Sequence, residues 1–589
     1  MSAQSADVEI PTPPMPRRTS NVFRVVPSPF GAFAGLLVLV VLGLVVYPLG
    51  KMLVDVFVRD GSISVSAFTE TLQDAEVREA FFTTLVLAIA ATTAAIVIAS
   101  FLAWVNERTD AGLGAFSEIV PLLPLVIPGI ASSVGYVVLF APRAGYVNVW
   151  IRDAVGVIGI HLNEGPFDIF SMWGLFAVYT VLIVPFAYLP IAAALRNLDP
   201  ALEEASLSSG ASLLTTTRRI TLPAVKPAIA SAGLLGIVVC FALYAIPAII
   251  APTAGIEIFA LQVFRSLQSF PPNTDVAIAM NFFVLLLVVL VSAVQRRISR
   301  GSHFAKIGGR GSRSTKMALG RLRWPIRVAV IAYLSVASLL PFIGLFILSI
   351  QRFWSQDIAL WNGGTFDNYR EVFFEDPRSR TALVRSIQLG LIGATVAVFV
   401  IAIVALSVQR RPAAIGRLID GVMKLPATIS HLVLASGFAL AFGGGPFNLR
   451  GTTLILLVAY FVFFLPFGYV IVDSSAKQIG ADMIEASAVS SASAGQTLRR
   501  IELPLLRAGM TAAWALLFVQ MAGDVLGAAM LGGTNTVVIG SYVLQQWEAG
   551  SFTRVAALSV VITLVATVVI VLVQVAGRRT GRGQLSIGS

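Results

Sequence analysis

Apolar stretches of about 20 residues recur along the whole chain, and they constrain its fold more than any other feature. Twelve can be counted, six in each half of the sequence. A helix of about 20 residues crosses the roughly 30 Å of hydrocarbon in a bilayer and satisfies its own backbone polar groups there. Only 12% of the residues are charged, whereas soluble domains carry about 25%. The sequence therefore predicts an all-α polytopic membrane protein.

The predicted spans divide the chain into two parallel homologous six-helix halves joined by a linker. The expected parts are an N-terminal tail at 1–29, a first half at 30–295, a linker at 296–327, a second half at 328–577 and a C-terminal tail at 578–589. The spans are expected near 31–57, 81–105, 119–140, 172–195, 228–250, 276–294, 328–350, 384–408, 422–442, 453–474, 509–530 and 555–576. Six spans per half return the chain to the side from which it started.

Basic residues cluster on one of the two predicted sides. The linker carries ten Lys or Arg and no Asp or Glu, whereas the loops 251–275 and 443–452 carry one basic residue each, Arg265 and Arg450. Because basic loops stay inside, both termini and the linker are expected to face the cytoplasm. Anionic lipid, rather than nucleic acid, is then the expected partner of the +11 net charge.

A polar segment between spans is present twice. Residues 204–223 (the first repeated segment) and 485–504 (the second repeated segment) are identical at 12 of 20 aligned positions, with a constant shift of 281 residues. Gly210 of the first copy is replaced by Ser491 in the second. A duplicated polar surface in an apolar chain predicts two matching docking sites for one kind of partner.

Local rules predict a short helix–turn–helix at the first copy. Asp199 suits the N-cap and Pro200 the first helical position. Gly210 suits the turn that follows the first helix, and a second helix is expected to restart near Ser212. Pro223 is expected to end that second helix before the next span, because proline cannot continue a helix.

At these residues the chain resembles a known family. The pattern Glu-Ala, four residues, Gly, nine residues, Ile-x-Leu-Pro resembles the signature of permease subunits of bacterial type I ABC importers. In that family the loop is a coupling helix that inserts into a cytoplasmic ATPase. The positions that correspond to the signature here, with serine in place of the second glycine, are Glu204, Ala205, Gly210, Ile220, Leu222, Pro223, Glu485, Ala486, Ser491, Ile501, Leu503 and Pro504.

The resemblance implies the partners and the location. It implies two cytoplasmic ABC ATPase subunits, an extracytoplasmic solute-binding protein and a place in the bacterial inner membrane. The residues themselves predict no catalytic group, since the chain has no Gly-rich phosphate loop ending in Lys-Ser/Thr. ATP and magnesium are therefore expected on the partner. Three histidines and one cysteine offer no usual metal-ligand spacing, so no cofactor or metal is expected on this chain.

The fused form narrows the solute. A single twelve-span chain resembles the ferric-iron permeases, with thiamine and 2-aminoethylphosphonate permeases as close relatives. Residues 123–129 (Leu-Pro-Leu-Val-Ile-Pro-Gly), 263–265 (Val-Phe-Arg) and 270–272 (Phe-Pro-Pro) resemble that subgroup. Ferric iron is therefore the expected solute, and thiamine, 2-aminoethylphosphonate and polyamine stay open as alternatives.

Polar residues inside predicted spans are candidates for a translocation path, because they are costly in lipid and face protein or water. The candidates are Asp524, Tyr244, Gln520 and His431. A buried hydrogen-bonded role is the alternative for Asp524, and a core position is the alternative for His431. An ion-coupled secondary transporter of two six-span halves is the rival function, and it needs paired ionisable residues near the middle of the membrane.

Overall fold

The computed structural model describes residues 29–59, 62–114, 121, 124, 127–270, 273–299, 316–355, 364–477, 479, 487, 489–490 and 494–582. Over these residues the chain is helical, apart from one antiparallel ribbon formed by β1 (Val58–Arg59) and β2 (Ser62–Ile63). The first half contains α1 (Pro29–Phe57), α2 (Ser66–Gln73), α3 (Ala75–Arg108), α4 (Gly129–Phe140), α5 (Tyr146–Gly156), α6 (Met172–Asn197), α7 (Pro200–Ser208), α8 (Leu213–Thr216), α9 (Leu222–Ala242), α10 (Ala245–Ala254), α11 (Phe259–Gln268) and α12 (Thr274–Ser299).

The second half repeats this order. It contains α13 (Arg323–Leu334), α14 (Leu340–Ser349), α15 (Asp367–Arg370), α16 (Pro377–Gln409), α17 (Ala413–Lys424), α18 (His431–Gly443), α19 (Thr453–Lys477), α20 (Ala494–Thr497), α21 (Leu503–Ala522), α22 (Leu526–Leu531), α23 (Ile539–Glu548) and α24 (Phe552–Arg582). Short 3-10 or π turns join several helices, at Thr217–Thr221, Gly320–Leu322, Ser335–Leu339, Glu371–Glu375, Leu425–Thr428 and Leu498–Glu502.

The described helices agree with a polytopic bundle. Ten are long and apolar enough to cross a membrane. Two further pairs qualify only together and are sharply bent, α10 with α11 by 92° and the 414–428 segment with α18 by 95°. The count reaches twelve if each bent pair is one span. The predicted third span is represented by the shorter helix α4.

Two predicted spans have the wrong boundaries, the fifth (228–250) and the eleventh (509–530). The helices there end at Ala242 and Ala522, and new short helices follow. In the first half, Pro247 has no N–H to donate to the carbonyl of Leu243, which favours a break. In the second half, the Asp524 carboxylate accepts a hydrogen bond from the Gly527 N–H at 2.8 Å and so caps the start of α22.

The two halves exchange their first helices. Helix α1 packs against α18 of the second half, and α14 packs against α4 of the first. At both crossings a glycine faces a proline. A Cβ on Gly135 would lie 2.6 Å from the Pro341 carbonyl oxygen, and one on Gly437 would lie 3.2 Å from the Pro48 Cβ. The glycines thus allow close approach of backbones, as small residues do between membrane helices.

A π turn completes the crossing at α4. The Tyr136 hydroxyl donates to the carbonyls of Val336 and Ala337, at 3.1 and 3.2 Å, within the turn Ser335–Leu339. A π turn offsets the helical ladder and leaves a carbonyl available to an inserted side chain. The contact therefore fixes the register between the halves.

Gly135→Ala should destabilise the contact between the halves. The added methyl has no room against the Pro341 carbonyl, and overpacking a closed contact costs about 1–3 kcal/mol. The thermal unfolding midpoint in detergent is expected to fall. Gly43→Ala is the matched control, because a Cβ there meets nothing within 4 Å and alanine favours a helix. An equal midpoint for both variants would contradict this packing.

Candidate functional site

The first repeated segment forms the expected helix–turn–helix. The Asp199 side chain accepts from the Ala201 N–H and caps α7, which starts with Pro200. Gly210 has a φ of +83°, a conformation that favours glycine. The Ser212 side chain then accepts from the Thr215 N–H and caps α8. The local predictions are confirmed, and α7 holds Glu204 and Ala205 at its exposed face.

The prediction that Pro223 ends the second helix is wrong. Helix α8 continues through the π turn Thr217–Thr221 into α9, and the Leu222 N–H bonds to the Thr217 carbonyl. Because Pro223 lies at the beginning of α9, the π turn shifts the ladder where proline offers no donor. The second copy does the same at Leu498–Glu502, with Pro504 at the start of α21.

The second repeated segment is described only in part. Glu485, Ala486 and Ser491 lie outside the described residues. One hydrogen bond is nevertheless found in both copies. The hydroxyls of Ser206 and Thr216 are 2.8 Å apart, and those of Ser487 and Thr497 are 2.7 Å apart, at the same shift of 281. The two segments therefore share a local tertiary contact as well as a sequence.

Both repeated segments lie at the same end of the bundle. The first contacts the end of α3 through Arg108 and Glu203, and the second contacts the residue after α16 through Arg410 and Glu502. The start of α1 lies there too, since the Arg411 guanidinium donates to the Gly31 carbonyl at 2.5 Å. A partner that touches one segment can therefore have a second copy touching the other.

A central cavity of about 200 Å³ lies where the helices break. Its wall includes the break between α9 and α10, the break between α21 and α22, and the starts of α4 and α18. Tyr244, His431, Gln520 and Asp524 all line it. Four residues that sequence reasoning selected one by one are thus brought together in one place. Broken helices around an inner cavity are typical of solute sites in transporters.

The four side chains have different surroundings. His431 stacks on Phe463 with ring centroids 5.5 Å apart and lies edge-on to Phe464. Tyr244 is buried, whereas Gln520 and Asp524 are half-buried. Asp524 caps α22 and lines the cavity at once, so the structural and pathway roles are not exclusive.

A second cavity, of about 300 Å³, is lined by α22, α23 and Phe264 of α11. The Phe264 ring contacts the Tyr244 ring, with centroids 5.1 Å apart. Tyr244 therefore borders the central cavity while its ring partner borders the second one. Glu548 lines the second cavity. Sequence reasoning missed Phe264 and Glu548 as cavity residues, because neither lies inside a predicted span.

Sequence reasoning also missed the buried arginine contacts beside the repeated segments. Arg108 and Glu203 are each 4% exposed and form an ion pair at 3.4 Å. The signal available was an arginine at the apolar end of a span and a second glutamate beside Glu204. Their proximity depends on tertiary packing, which one sequence does not reveal.

A helical bundle of two homologous halves, with a cavity at its broken helices and matching polar segments at one end, defines a membrane transport protein. The chain belongs to the family described as the binding-protein-dependent transport system inner membrane component, whose profile matches residues 93–303 and 397–582. It is accordingly a multi-pass inner-membrane permease subunit of the ABC transporter class.

Curated relatives have the same architecture. A Sinorhizobium fredii protein named as an ABC transporter permease is 27% identical over 79% of this chain and 81% of its own length. The Fe(3+)-transport system permease of Haemophilus influenzae is 23% identical over 88% of this chain and 93% of its own length. A Salmonella typhimurium protein named for 2-aminoethylphosphonate transport is 27% identical, over 34% of this chain and 76% of that protein.

Proposed function

We propose that this permease imports ferric iron, which an extracytoplasmic binding protein delivers, and that ATP is hydrolysed on two separate ATPase subunits. The observation that carries the two-ATPase arrangement is the pair of matching segments at one end of the bundle. Ferric iron is supported by similarity to the Haemophilus influenzae permease along nearly the whole of both chains. Similarity to the phosphonate protein covers only one half of this chain's length or less.

The end that carries the repeated segments is proposed to be cytoplasmic. Exposed arginines adjoin both π turns, Arg218 and Arg219 in the first copy and Arg499 and Arg500 in the second. Short basic segments next to spans remain inside. Both termini and the linker 296–327 belong to the same side in this arrangement.

One ATPase is proposed to bind each repeated segment. The signature positions of the first copy, Glu204, Ala205, Leu222 and Pro223, are exposed, and Leu214 beside them is 76% exposed. An apolar side chain this exposed next to charged groups is typical of a protein contact. Glu485, Ala486, Ser491, Ile501, Leu503 and Pro504 are assigned the same role by their positions in the second copy.

The two cavities are proposed to mark the solute path. A solute released by the binding protein enters beside Phe264 and Glu548, passes the Tyr244–Phe264 ring pair and reaches Asp524, Gln520 and His431. Closure of the ATPases moves both repeated segments and tilts the halves against each other, so the path opens to one side at a time. Such alternating access requires the ATPases to bind the two states with different free energies.

Uptake into proteoliposomes tests the proposal. The permease, the ATPase and the binding protein are reconstituted, and accumulation of radioactive ferric iron is measured. Uptake should require ATP and persist when the proton gradient is collapsed. Loss of uptake with an uncoupler while ATP remains would favour the ion-coupled transporter instead. Accumulation of thiamine, 2-aminoethylphosphonate or a polyamine, with none of iron, would overturn the choice of solute.

A further inference from the structure

Each half ends its first long inner helix with an arginine that binds a carboxylate near the repeated segment. Arg108 is the last residue of α3, and Arg410 directly follows α16. The carboxylate partners, however, come from non-equivalent positions. Arg108 pairs with Glu203 of α7, whereas Arg410 pairs with Glu502 of the π turn after the second repeated segment's short helix.

The exchange is complete at the sequence level. At the shift of 281, Glu502 corresponds to Thr221, and Glu203 corresponds to Ile484. The acid has therefore moved from the coupling helix in one half to the π turn in the other. Only the first half keeps the carboxylate on the helix that carries the signature.

In the first half the contact network fastens α7 from several sides. The Arg108 guanidinium lies 3.4 Å from a Glu203 carboxylate oxygen, and it donates to the carbonyls of Leu195 and Leu198 at 2.7 and 2.9 Å. The Thr221 hydroxyl donates to the other Glu203 oxygen at 2.5 Å. Helix α7 is thus joined to α3, to the end of α6 and to the π turn below α9.

The same corner also reaches the second half of the molecule. The Met317 N–H donates to the Arg108 carbonyl at 2.8 Å, and the Lys316 ammonium donates to the Asn106 carbonyl at 3.1 Å. These residues lead into α13. A displacement of α7 therefore acts on the first helix of the other half through a short chain of buried polar contacts.

In the second half the corresponding ion pair bypasses the coupling helix. The Arg410 guanidinium donates to both Glu502 oxygens, at 2.6 and 2.7 Å, and its charge lies 5.2 Å from the Phe30 ring centroid. These contacts connect α16, the π turn before α21 and the start of α1. Among the described residues of the second repeated segment, the Ser487–Thr497 hydrogen bond is the equivalent of Ser206–Thr216.

We propose that Arg108, Glu203 and Thr221 are positioning residues that couple the first repeated segment rigidly to the bundle, and that the second repeated segment is coupled more loosely. The inference rests on the proposed docking of ATPases at both segments. It assigns unequal shares of the power stroke to two halves that share one signature. The buried, multiply bonded carboxylate on α7 transmits force, since a rigid polar network resists relative motion of the elements that it joins.

The relocation variant Glu203→Ile with Thr221→Glu tests this directly. It gives the first half the arrangement of the second, so Arg108 keeps a carboxylate partner and the fold retains its buried ion pair. In proteoliposomes with ATPase and loaded binding protein, solute moved per ATP hydrolysed is expected to fall at least about fivefold, the scale of a modest coupling free energy. The thermal midpoint of the assembled complex should stay within the range of the unchanged chain.

A matched pair of neutralisations separates positioning from stability. Glu203→Gln and Glu502→Gln each remove one buried charge from an arginine partner. Both should lower the thermal midpoint, but per assembled complex Glu203→Gln is expected to lower the transport-to-ATP ratio at least about fivefold more. Restored coupling in Glu203→Asp would support the role of the carboxylate itself.

The outcomes distinguish the two levels of the account. If the relocation variant transports as many solute molecules per ATP as the unchanged chain, the unequal-coupling inference is overturned while ATPase docking stands. Equal losses for the two Gln variants would overturn it too. If the ATPase fails to assemble with the unchanged chain, the proposed function itself fails.

Discussion

Reversing the charge at both Glu204 and Glu485 is expected to abolish solute uptake while the chain still inserts and folds. Glu204 lies on the exposed face of α7, so a lysine there enters water and buries no new charge. Like charges placed across a protein interface cost several kcal/mol, and each 1.4 kcal/mol is a factor of ten. Uptake should fall about 100-fold or more, measured in proteoliposomes with ATPase and binding protein.

The same preparation provides the control. Glu79→Lys places a reversed charge at another exposed acid, near the start of α3 and far along that helix from Arg108. Its ATPase content should match that of the unchanged chain, whereas the double variant should retain little ATPase after purification. Normal uptake by the double variant would remove the signature glutamates from any coupling role.

Asp524→Asn is expected to lower uptake by about tenfold or more without destabilising the protein. Asparagine caps helices about as well as aspartate, so the bond from the Gly527 N–H survives and α22 still starts there. What is lost is the negative charge at the central cavity. A hydrogen bond to a charged group contributes about 1.5–3 kcal/mol, which corresponds to a tenfold or larger change in binding. Uptake and the thermal midpoint are measured on the same preparations.

Asp524→Ala completes that comparison. It removes both the cap and the charge, so it should lower uptake and also cost about 1 kcal/mol of stability. If Asp524→Asn transports normally and only Asp524→Ala is impaired, Asp524 serves α22 alone and the cavity needs another solute ligand. Loss of uptake in both, with stability lost only in alanine, supports the pathway.

Sequence reasoning was most successful where local chemistry decides the outcome. The apolar spans follow from length and hydropathy, and Asp199, Gly210 and Ser212 behave as cap, turn and cap. It failed at Pro223, because the rule that proline stops a helix ignores a π turn that accommodates it. The breaks after Ala242 and Ala522 were missed for a related reason, since hydropathy continues across them.

Tertiary relations explain the remaining differences. Polarity inside spans was enough to select Tyr244, His431, Gln520 and Asp524, and the fold then places all four around one cavity. The Arg108–Glu203 pair joins residues almost a hundred positions apart, and nothing local marks either as the partner of the other. Repetition predicted two equal docking segments, whereas the contacts around Arg108 and Arg410 show that their supports differ.

Nucleotide-dependent crosslinking tests the central claim most directly. Cys240 is the single cysteine of the chain and is buried, so its replacement by alanine gives a background without thiols. Ser208→Cys and Val489→Cys then place one exposed thiol in each repeated segment, at positions related by the shift of 281.

Both thiols should crosslink to the ATPase subunit, with yields that change when ATP is bound, while a thiol at the fully exposed Phe270 should not. Crosslinks at both segments would show that the permease carries two ATPase contacts at one end of the bundle. Absence of any crosslink in an assembled, transporting complex, or labelling of either thiol from outside the cell, would contradict the account.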